Sequence, residues 1–553
     1  MAPRTRSMKP LPIPHPFTGD DYECGFPVTL LPELVLMAAS NAIREKPNWW
    51  EKYKDPVIAA RWRQELVELR EKNQEPLQLT DPQIDYLFHE LDWYAEQRLK
   101  HVKPGKNEVP IEIGIDGTRK ADGLIPPELK QRLLAGVQKL MDVPEHLKDW
   151  HPGSNKQVLD LVHPSLFPFI AGRTLVVQDQ PAIPPLSFIG QGETMDMAPM
   201  KGGIDKSYYS KKYQWLPTDF TLSANGDVEF ESYINNLHPV EHKELYPVLG
   251  KILAKFIPMF EDVLTDMRAL PKKNKRFDAD PYGWYGEEPE VDYENNEDEA
   301  EATMEAWREN RTPTILDIPE FSPPEEPERY EIQPGQKLQV IVKLANIELT
   351  PENPSYDGGV WHVEGMANEN IVASGIYYYH SENISETRLN FRIHVQEPGY
   401  EQSDDRGVMA MYGLANEEAL VQGLDGIVTK QDRCIAFPNI YQHQVQPFGL
   451  EDPTKPGTRK ILVFFLVNPE TPILSTTNVP PQQKEWAPMK GVLLQAARKL
   501  PPELVHEIDR HVDWPIELEE ALGHREELMK QRKYFVSSMN EEMFERPFSL
   551  CEH

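Results

Sequence analysis

Gly358-Gly359-Val360-Trp361-His362-Val363-Glu364-Gly365 sets a histidine and a carboxylate two positions apart. On a β-strand, side chains at i and i+2 leave the same face, so His362 and Glu364 can reach one metal ion together, whereas on a helix they would diverge. A third ligand from a distant strand would complete a two-histidine, one-carboxylate facial triad, the donor set that leaves positions open on non-haem Fe(II). His443 is the candidate for that third place. Arg433-Cys434-Ile435-Ala436-Phe437-Pro438-Asn439 leads to it, and Tyr441, His443 and Val445 would share one strand face while Gln442, Gln444 and Gln446 take the other. Ligands carried on two separated strands suit a folded-back sandwich.

The pattern His-x-Glu/Asp recurs at His242/Glu244, His380/Glu382, His511/Asp513 and His524/Glu526, so context has to choose. The first and last sit in helical stretches with solvated charges. His511 precedes Trp514-Pro515, where proline interrupts a helix. His380-Ser381-Glu382-Asn383 follows the strand-like Ile376-Tyr377-Tyr378-Tyr379 and reads as a turn, which leaves it the reserve pair.

The β signal dominates from Leu338 to Pro469, opening with Leu338-Gln339-Val340-Ile341-Val342-Lys343-Leu344 and continuing through Val372 to Tyr379, Cys434 to Phe437 and Ile461 to Val467. Short strands joined by turns suit a jelly-roll or double-stranded β-helix. The expected fold class is therefore α+β, in three parts. Residues 1–172 form a mostly α-helical section, with apolar stripes such as Leu30, Leu31, Leu34, Val35 and Ala38. Residues 173–500 form the β-helix domain, which includes a hairpin at Asn225-Gly226, a bracing helix over 239–270 and an acidic, proline-bearing insertion over 271–335. Residues 501–553 form a helical tail with Leu504, Ile508 and Val512 on one face.

Tyr356-Asp357-Gly358-Gly359-Val360-Trp361-His362-Val363-Glu364-Gly365-Met366, then Ile371 to Tyr379 and the closing Pro547-Phe548-Ser549-Leu550-Cys551-Glu552-His553, resemble a fungal family known as domain of unknown function 4246. The likeness runs through most of the chain, including Gln214 to Asp219 and Ser232 to Pro239. Locally, Phe437-Pro438-Asn439 through His443-Gln444-Val445, followed by Arg459-Lys460-Ile461-Leu462-Val463-Phe464-Phe465-Leu466, resembles prolyl-hydroxylase-like 2-oxoglutarate oxygenases. That resemblance implies a double-stranded β-helix holding Fe(II) on His362, Glu364 and His443, with 2-oxoglutarate as co-substrate. It also implies that Arg459 grips the distal keto-acid carboxylate through two parallel charge-assisted hydrogen bonds. Aspartate is more usual than glutamate at the position of Glu364 in that superfamily.

Strand parity alone leaves Lys460 as an alternative to Arg459, because both faces of Ile461 to Val467 are apolar. Tyr377 and Tyr379 share a face and are expected to offer hydroxyls to the keto acid. Asn346 and Lys343 are further pocket candidates, and Trp361 is expected to point away from the metal. The implied activity is hydroxylation or another C–H oxidation of a small molecule or protein side chain. Alternatives are a cupin-like metalloenzyme that does not use the keto acid and a non-catalytic interaction protein whose acidic insertion and helical ends contact partners.

The chain has 553 residues, 39% of them apolar, and a formal charge of −31, which argues against general nucleic-acid binding. Three cysteines, Cys24, Cys434 and Cys551, are too scattered for a disulfide framework, and no apolar run is long enough to cross a bilayer. A cytoplasmic setting is expected, with nuclear placement also open.

Overall fold

The structure is a computed structural model that describes residues 12–17, 26–72, 79–103, 105, 108–178, 185–199, 208–270, 276, 279–314, 318–487, 500–504, 507 and 515–550. Ile508, Val512 and the His511/Asp513 pair lie outside the described residues.

Nine α-helices are described: α1 Leu31–Arg44, α2 Trp49–Lys52, α3 Pro56–Lys72, α4 Asp81–Gln97, α5 Pro127–Met141, α6 Leu245–Ala269, α7 Glu297–Asn310, α8 Asp405–Tyr412 and α9 Leu518–Met539. Local chemistry starts several of them. Thr80 and Gln83 form a reciprocal capping box at α4, and proline opens α1, α4 and α5. The helix expected over 239–270 begins at Leu245, and the residues before it, His242 included, form turns.

The strands that position the site are β1 Glu112–Ile113, β2 Arg119–Asp122, β3 Asp149–Trp150, β4 Val158–Val162, β5 Thr218–Leu222, β6 Val228–Phe230, β7 Lys337–Leu349, β8 Ile371–Glu382, β9 Thr387–His394, β10 Val421–Thr429, β11 Arg433–Pro438, β12 Gln442–Val445 and β13 Gly457–Val467. The large antiparallel sheet runs β1-β2-β11-β8-β13-β7-β4-β3, with the hairpin β5–β6 also pairing on β7; a smaller sheet runs β10-β9-β12. The turn of that hairpin contains Gly226 at φ 81, as the Asn-Gly signal requires. Residues 112–162, expected as part of a helical section, supply four strands to the large sheet. At two to five residues each, they are too short to show a clear period of two.

Residues opposite one another on antiparallel strands share a face. Gly375 and Tyr377 of β8, paired with Phe464 and Leu462 of β13, take the face covered by α6. A Cβ on Gly375 would come within 2.7 Å of the Phe256 ring, and Phe464 meets that ring edge-on at 5.6 Å. Val248, Ile252, Phe256, Phe260, Val263 and Met267 are fully or almost fully buried, so α6 seals this face. Each such side chain contributes roughly 1.5–3 kcal/mol.

The opposite face of the large sheet looks inward. Phe437 of β11 packs at 5.1 Å on Phe391 of β9 and at 4.9 Å on His443 of β12, so the two sheets face each other across a filled interior. The main core extends from Ile13 through the sheets to Leu550. Among the described residues, no helix is long and apolar enough to cross a membrane.

Candidate metal centre and the cavity beside it

His362 and Glu364 do not sit on a regular strand, contrary to the expectation from their spacing. The segment makes a single bridge, His362 to His443, flanked by bends. The reason is backbone geometry. Gly358 has φ 88, and a Cβ there would lie 2.6 Å from the Val445 carbonyl oxygen, so the chain turns onto β12 at a position only glycine fits.

The bend is then fixed from outside. The amide of His443 donates to the His362 carbonyl at 2.9 Å, and Gly359 donates to Val445 at 2.9 Å. Asn439 clamps Glu364 from both sides, accepting from its amide at 2.8 Å and donating to its carbonyl at 2.9 Å. The side chains at i and i+2 still converge because these bonds replace the missing ladder.

The three sequence-predicted ligands meet. Glu364 Oε1 lies 3.4 Å from His443 Nε2 and 3.8 Å from His362 Nε2, and the imidazole centroids are 4.3 Å apart. His362 Nδ1 lies 2.7 Å from the Val360 carbonyl, which places the proton on Nδ1 and leaves the Nε2 lone pair facing Glu364. Burial opposes the charge on Glu364, but the two imidazoles override it and hold the carboxyl well below its ordinary value. Burial also works against protonated His362, yet Glu364 leaves it raised, while burial and the neighbouring His362 push His443 down. Three donors of the right types within 4.8 Å of one another form a set that can hold a metal ion.

The register resolves the choice between Arg459 and Lys460. Arg459 lies opposite Ile347 and Ser381 and is on the same inward face as Phe465, which stacks on Trp215 at 5.8 Å. Lys460 lies opposite Asn346 on the other face, and both reach Met141 of α5. The Arg459 guanidinium sits 4.4 Å over the Phe448 ring, the residue is 98% removed from solvent, and Nε and Nη1 lack a hydrogen-bond partner among the described residues. Burial pulls its pKa below the ordinary guanidinium value.

Tyr377 is on the α6 face, donating to Asp432 at 3.3 Å, and Tyr379 packs beside it at 6.1 Å. The expectation that this pair faces the keto-acid pocket is therefore corrected. The tyrosine sharing the face and surroundings of Arg459 is Tyr378, 5.8 Å from its guanidinium. Asn346 is likewise turned away, whereas Lys343, opposite Val463, faces inward. Trp361 packs under Arg392 at 4.8 Å. The reserve pair His380/Glu382 remains within β8 rather than forming a turn, and Glu382 is largely exposed.

A cavity of about 190 Å³ opens beside the triad. His362 and Glu364 line it together with Phe17, Tyr208, Trp215 and, from α9, Phe535, Val536 and Met539. Arg532 of α9 also lines it, stacked 3.6 Å over Trp215 and paired with Glu369 at 2.8 Å. Two more lining residues, His151 and His163, join Asp160 of β4 in a second histidine-acid-histidine cluster. The sequence reading missed this cluster. Its ligand-type residues are nine and three positions apart, and only the pairing of β4 with β7 carries them to the cavity wall.

The family described as "Protein of unknown function (DUF4246)" matches residues 81–490, and its N-terminal domain matches residues 5–65. The chain belongs to this family. No curated protein matches this DUF4246 member. Among solved structures it is similar to the Fe(II)/(alpha)ketoglutarate-dependent dioxygenase TqaL, at 12% identity over 46% of this chain and 66% of that one, with a TM-score of 0.20. It is also similar to IDO from Bacillus thuringiensis, at 13% identity over 25% of this chain and 48% of that one, with a TM-score of 0.15. A bsmA homolog from Methylobium petroleophilum PM1 has 12% identity over 24% of this chain and 43% of its own, with a TM-score of 0.15. The DUF4246 chain thus spans less than half the length of two of these structures and just under two thirds of the third.

Proposed function

We propose that this DUF4246 protein is an Fe(II)- and 2-oxoglutarate-dependent oxygenase with a double-stranded β-helix core, oxidising a C–H bond of a small molecule or protein side chain. The core reading rests on how β7 to β13 are dealt between sheets: β7, β8, β11 and β13 go to the large sheet, and β9, β10 and β12 to the small one. Two facing antiparallel sheets that share out these strands support a jelly-roll reading. His362, Glu364 and His443 would hold the metal ion. When bound, iron and the keto acid would together activate dioxygen, the oxidant for C–H cleavage, with the keto acid supplying the electrons that its decarboxylation to succinate releases.

The observation that carries the reading is Arg459. A guanidinium buried without a carboxylate partner among the described residues is costly, and a bound acidic ligand would offset that cost by pairing with it. It lies on the inward face, with its guanidinium over Phe448. That phenylalanine clusters with Val445, two residues beyond His443 on β12. The chain's own residues thus have distinct tasks: Arg459 orients an acidic co-substrate, Val360 fixes the His362 tautomer, and Trp215 with α9 gives the cavity an apolar wall.

The test is anaerobic titration of metal-free protein with Fe(II) and then 2-oxoglutarate, following the visible charge-transfer band of the chelated keto acid. The expected result is a band in the wild type that weakens in Arg459→Ala. Iron binding without a band would replace this proposal with a metalloenzyme independent of 2-oxoglutarate. Absence of iron binding would leave an interaction protein.

A further inference from the structure

The cluster on β4 contains the same residue types as the candidate metal centre, but its hydrogen bonds are arranged for a different task. His151 Nδ1 lies 2.8 Å from Asp160 Oδ2, so in the neutral ring the proton sits on Nδ1 and Nε2 presents a lone pair. The Ser165 amide donates to His163 Nδ1 at 3.2 Å, so that ring carries its proton on Nε2. Burial pushes His163 down to about 3, which keeps it neutral near pH 7. A neutral imidazole whose Nδ1 accepts a hydrogen bond has no lone pair left on Nε2 for a metal. One ring therefore offers an acceptor and the other a donor, with centroids 5.3 Å apart. The cluster offers one ligand-type atom per residue within 4.8 Å of the others, a spacing over which a single hydroxyl or amide, accepting from one ring and donating to the other, makes bonds of roughly 2.9 Å.

We propose that His151 and His163, with Asp160 behind them as the positioning carboxylate, form the subsite that binds a neutral hydroxyl or amide group on an otherwise apolar substrate. Calling the ligand a substrate rests on the oxygenase reading; the binding chemistry does not. Both rings line the same cavity as His362 and Glu364, and most of its other walls are apolar. The cavity is somewhat larger than the roughly 150 Å³ cavity that accommodates benzene, which limits the bound portion to about one substituted ring.

The charges around the subsite favour a neutral group. Asp160 is buried as an anion, and Lys343 acts electrostatically on both Asp160 and His163 from the inward face of β7. Arg532 is paired with Glu369. The charge of Asp160 behind the rings disfavours an anionic ligand, and that of Lys343 disfavours a cationic one. A site built around a donor and an acceptor discriminates strongly against an analogue that lacks both, because its own polar groups are then left unpaired.

The experiment uses the full chain and three probes, 4-fluorobenzamide, 4-fluorobenzyl alcohol and 4-fluorotoluene, with binding read by fluorine NMR. The expected result is that the amide and the alcohol bind the wild type at least about tenfold more tightly than the toluene. That preference should fall to near unity in His163→Leu and His151→Leu. Unchanged 4-fluorotoluene binding in both variants would show that the cavity is intact. Co(II) should bind wild type and His163→Leu at one equivalent each. The inference is overturned by equal binding of all three probes, by no binding of any, by a preference that survives both substitutions, or by a second Co(II) equivalent that His163→Leu removes. The oxygenase reading fails separately, if His443→Ala leaves Co(II) binding unchanged; the probe ratio would still report on the subsite.

Discussion

Two histidine-acid-histidine clusters open on one cavity, and the backbone groups around them decide what each can do. At His362, Glu364 and His443, a carbonyl receives the Nδ1 proton of one ring, and both Nε2 atoms stand more than 3 Å from a shared carboxylate oxygen. At His151, Asp160 and His163, the carboxylate already accepts a short bond from one ring, and an amide fills the ring nitrogen of the other. Residue type alone would call both metal sites. Tautomers assigned from the hydrogen-bond network separate them, because only a deprotonated ring nitrogen can be a ligand.

The largest expected effect breaks this comparison directly. Replacing a group outside the ligand shell typically costs 10- to 100-fold in metal affinity, so loss of a ligand in His362→Ala or His443→Ala should weaken Fe(II) or Co(II) binding by more than about 100-fold. Asp160→Asn should leave it within about threefold. Calorimetric titration of the metal-free protein measures both. A large loss in Asp160→Asn would make the two clusters equivalent and erase the distinction.

Arg459 sharpens the contrast, since among the described residues it is a buried charge without an ion-pair partner, whereas Asp160 is matched by His151. Arg459→Met should reduce 2-oxoglutarate affinity by roughly tenfold to hundredfold for each charged hydrogen bond lost. In keto-acid-free protein the same change should raise stability by about 1–3 kcal/mol, because a desolvated charge is replaced by an apolar side chain of similar length. Chemical denaturation checks the sign. Destabilisation would mean that Arg459 serves the fold, not a ligand.

The next effect is on the dependence of stability on pH. His163 has a folded pKa of about 3 against an ordinary 6.5, so between those values the unfolded chain binds one more proton than the native state. Stability contributed by neutral His163 is therefore complete above about pH 6.5 and declines as pH falls toward 3, at about 1.4 kcal/mol per pH unit. His163→Leu should remove that one-proton slope from denaturation curves measured between pH 6.5 and 5. An unchanged slope would mean that the ring is charged in the fold and cannot be the neutral donor assigned to it.

How much of this was legible in the sequence differs between the two clusters. His362 and Glu364 were readable because they are two residues apart. His443 is readable as a third ligand from the alternation of its strand, whereas Arg459 is chosen through its resemblance to known neighbours of a keto-acid site, since the spacing itself leaves Lys460 open. Register then decided what sequence alternation left undecided: the β8–β13 pairing turns Tyr378 inward and Tyr377 outward, and both faces of those strands are apolar enough to hide it. The second cluster left no local signal. Its histidines lie on either side of a five-residue strand, and the residues that share the cavity with them come from the triad segment and α9, far away in the chain.

Lys343 ties the clusters together and gives the smallest effect. From the inward face of β7 its charge disfavours protonation of both His163 and His362 and favours ionised Asp160. Lys343→Met removes that field, so all three groups should titrate at higher pH in metal-free protein. The sign is the same for imidazole and carboxylate, because each then holds its proton more readily when a nearby cation is gone. Histidine ring-proton NMR resolves the two imidazoles separately. An upward movement in both would establish one electrostatic unit spanning the cavity, whereas movement of His163 alone would show that Lys343 belongs to the β4 subsite and that the metal centre is tuned independently of the residues facing it.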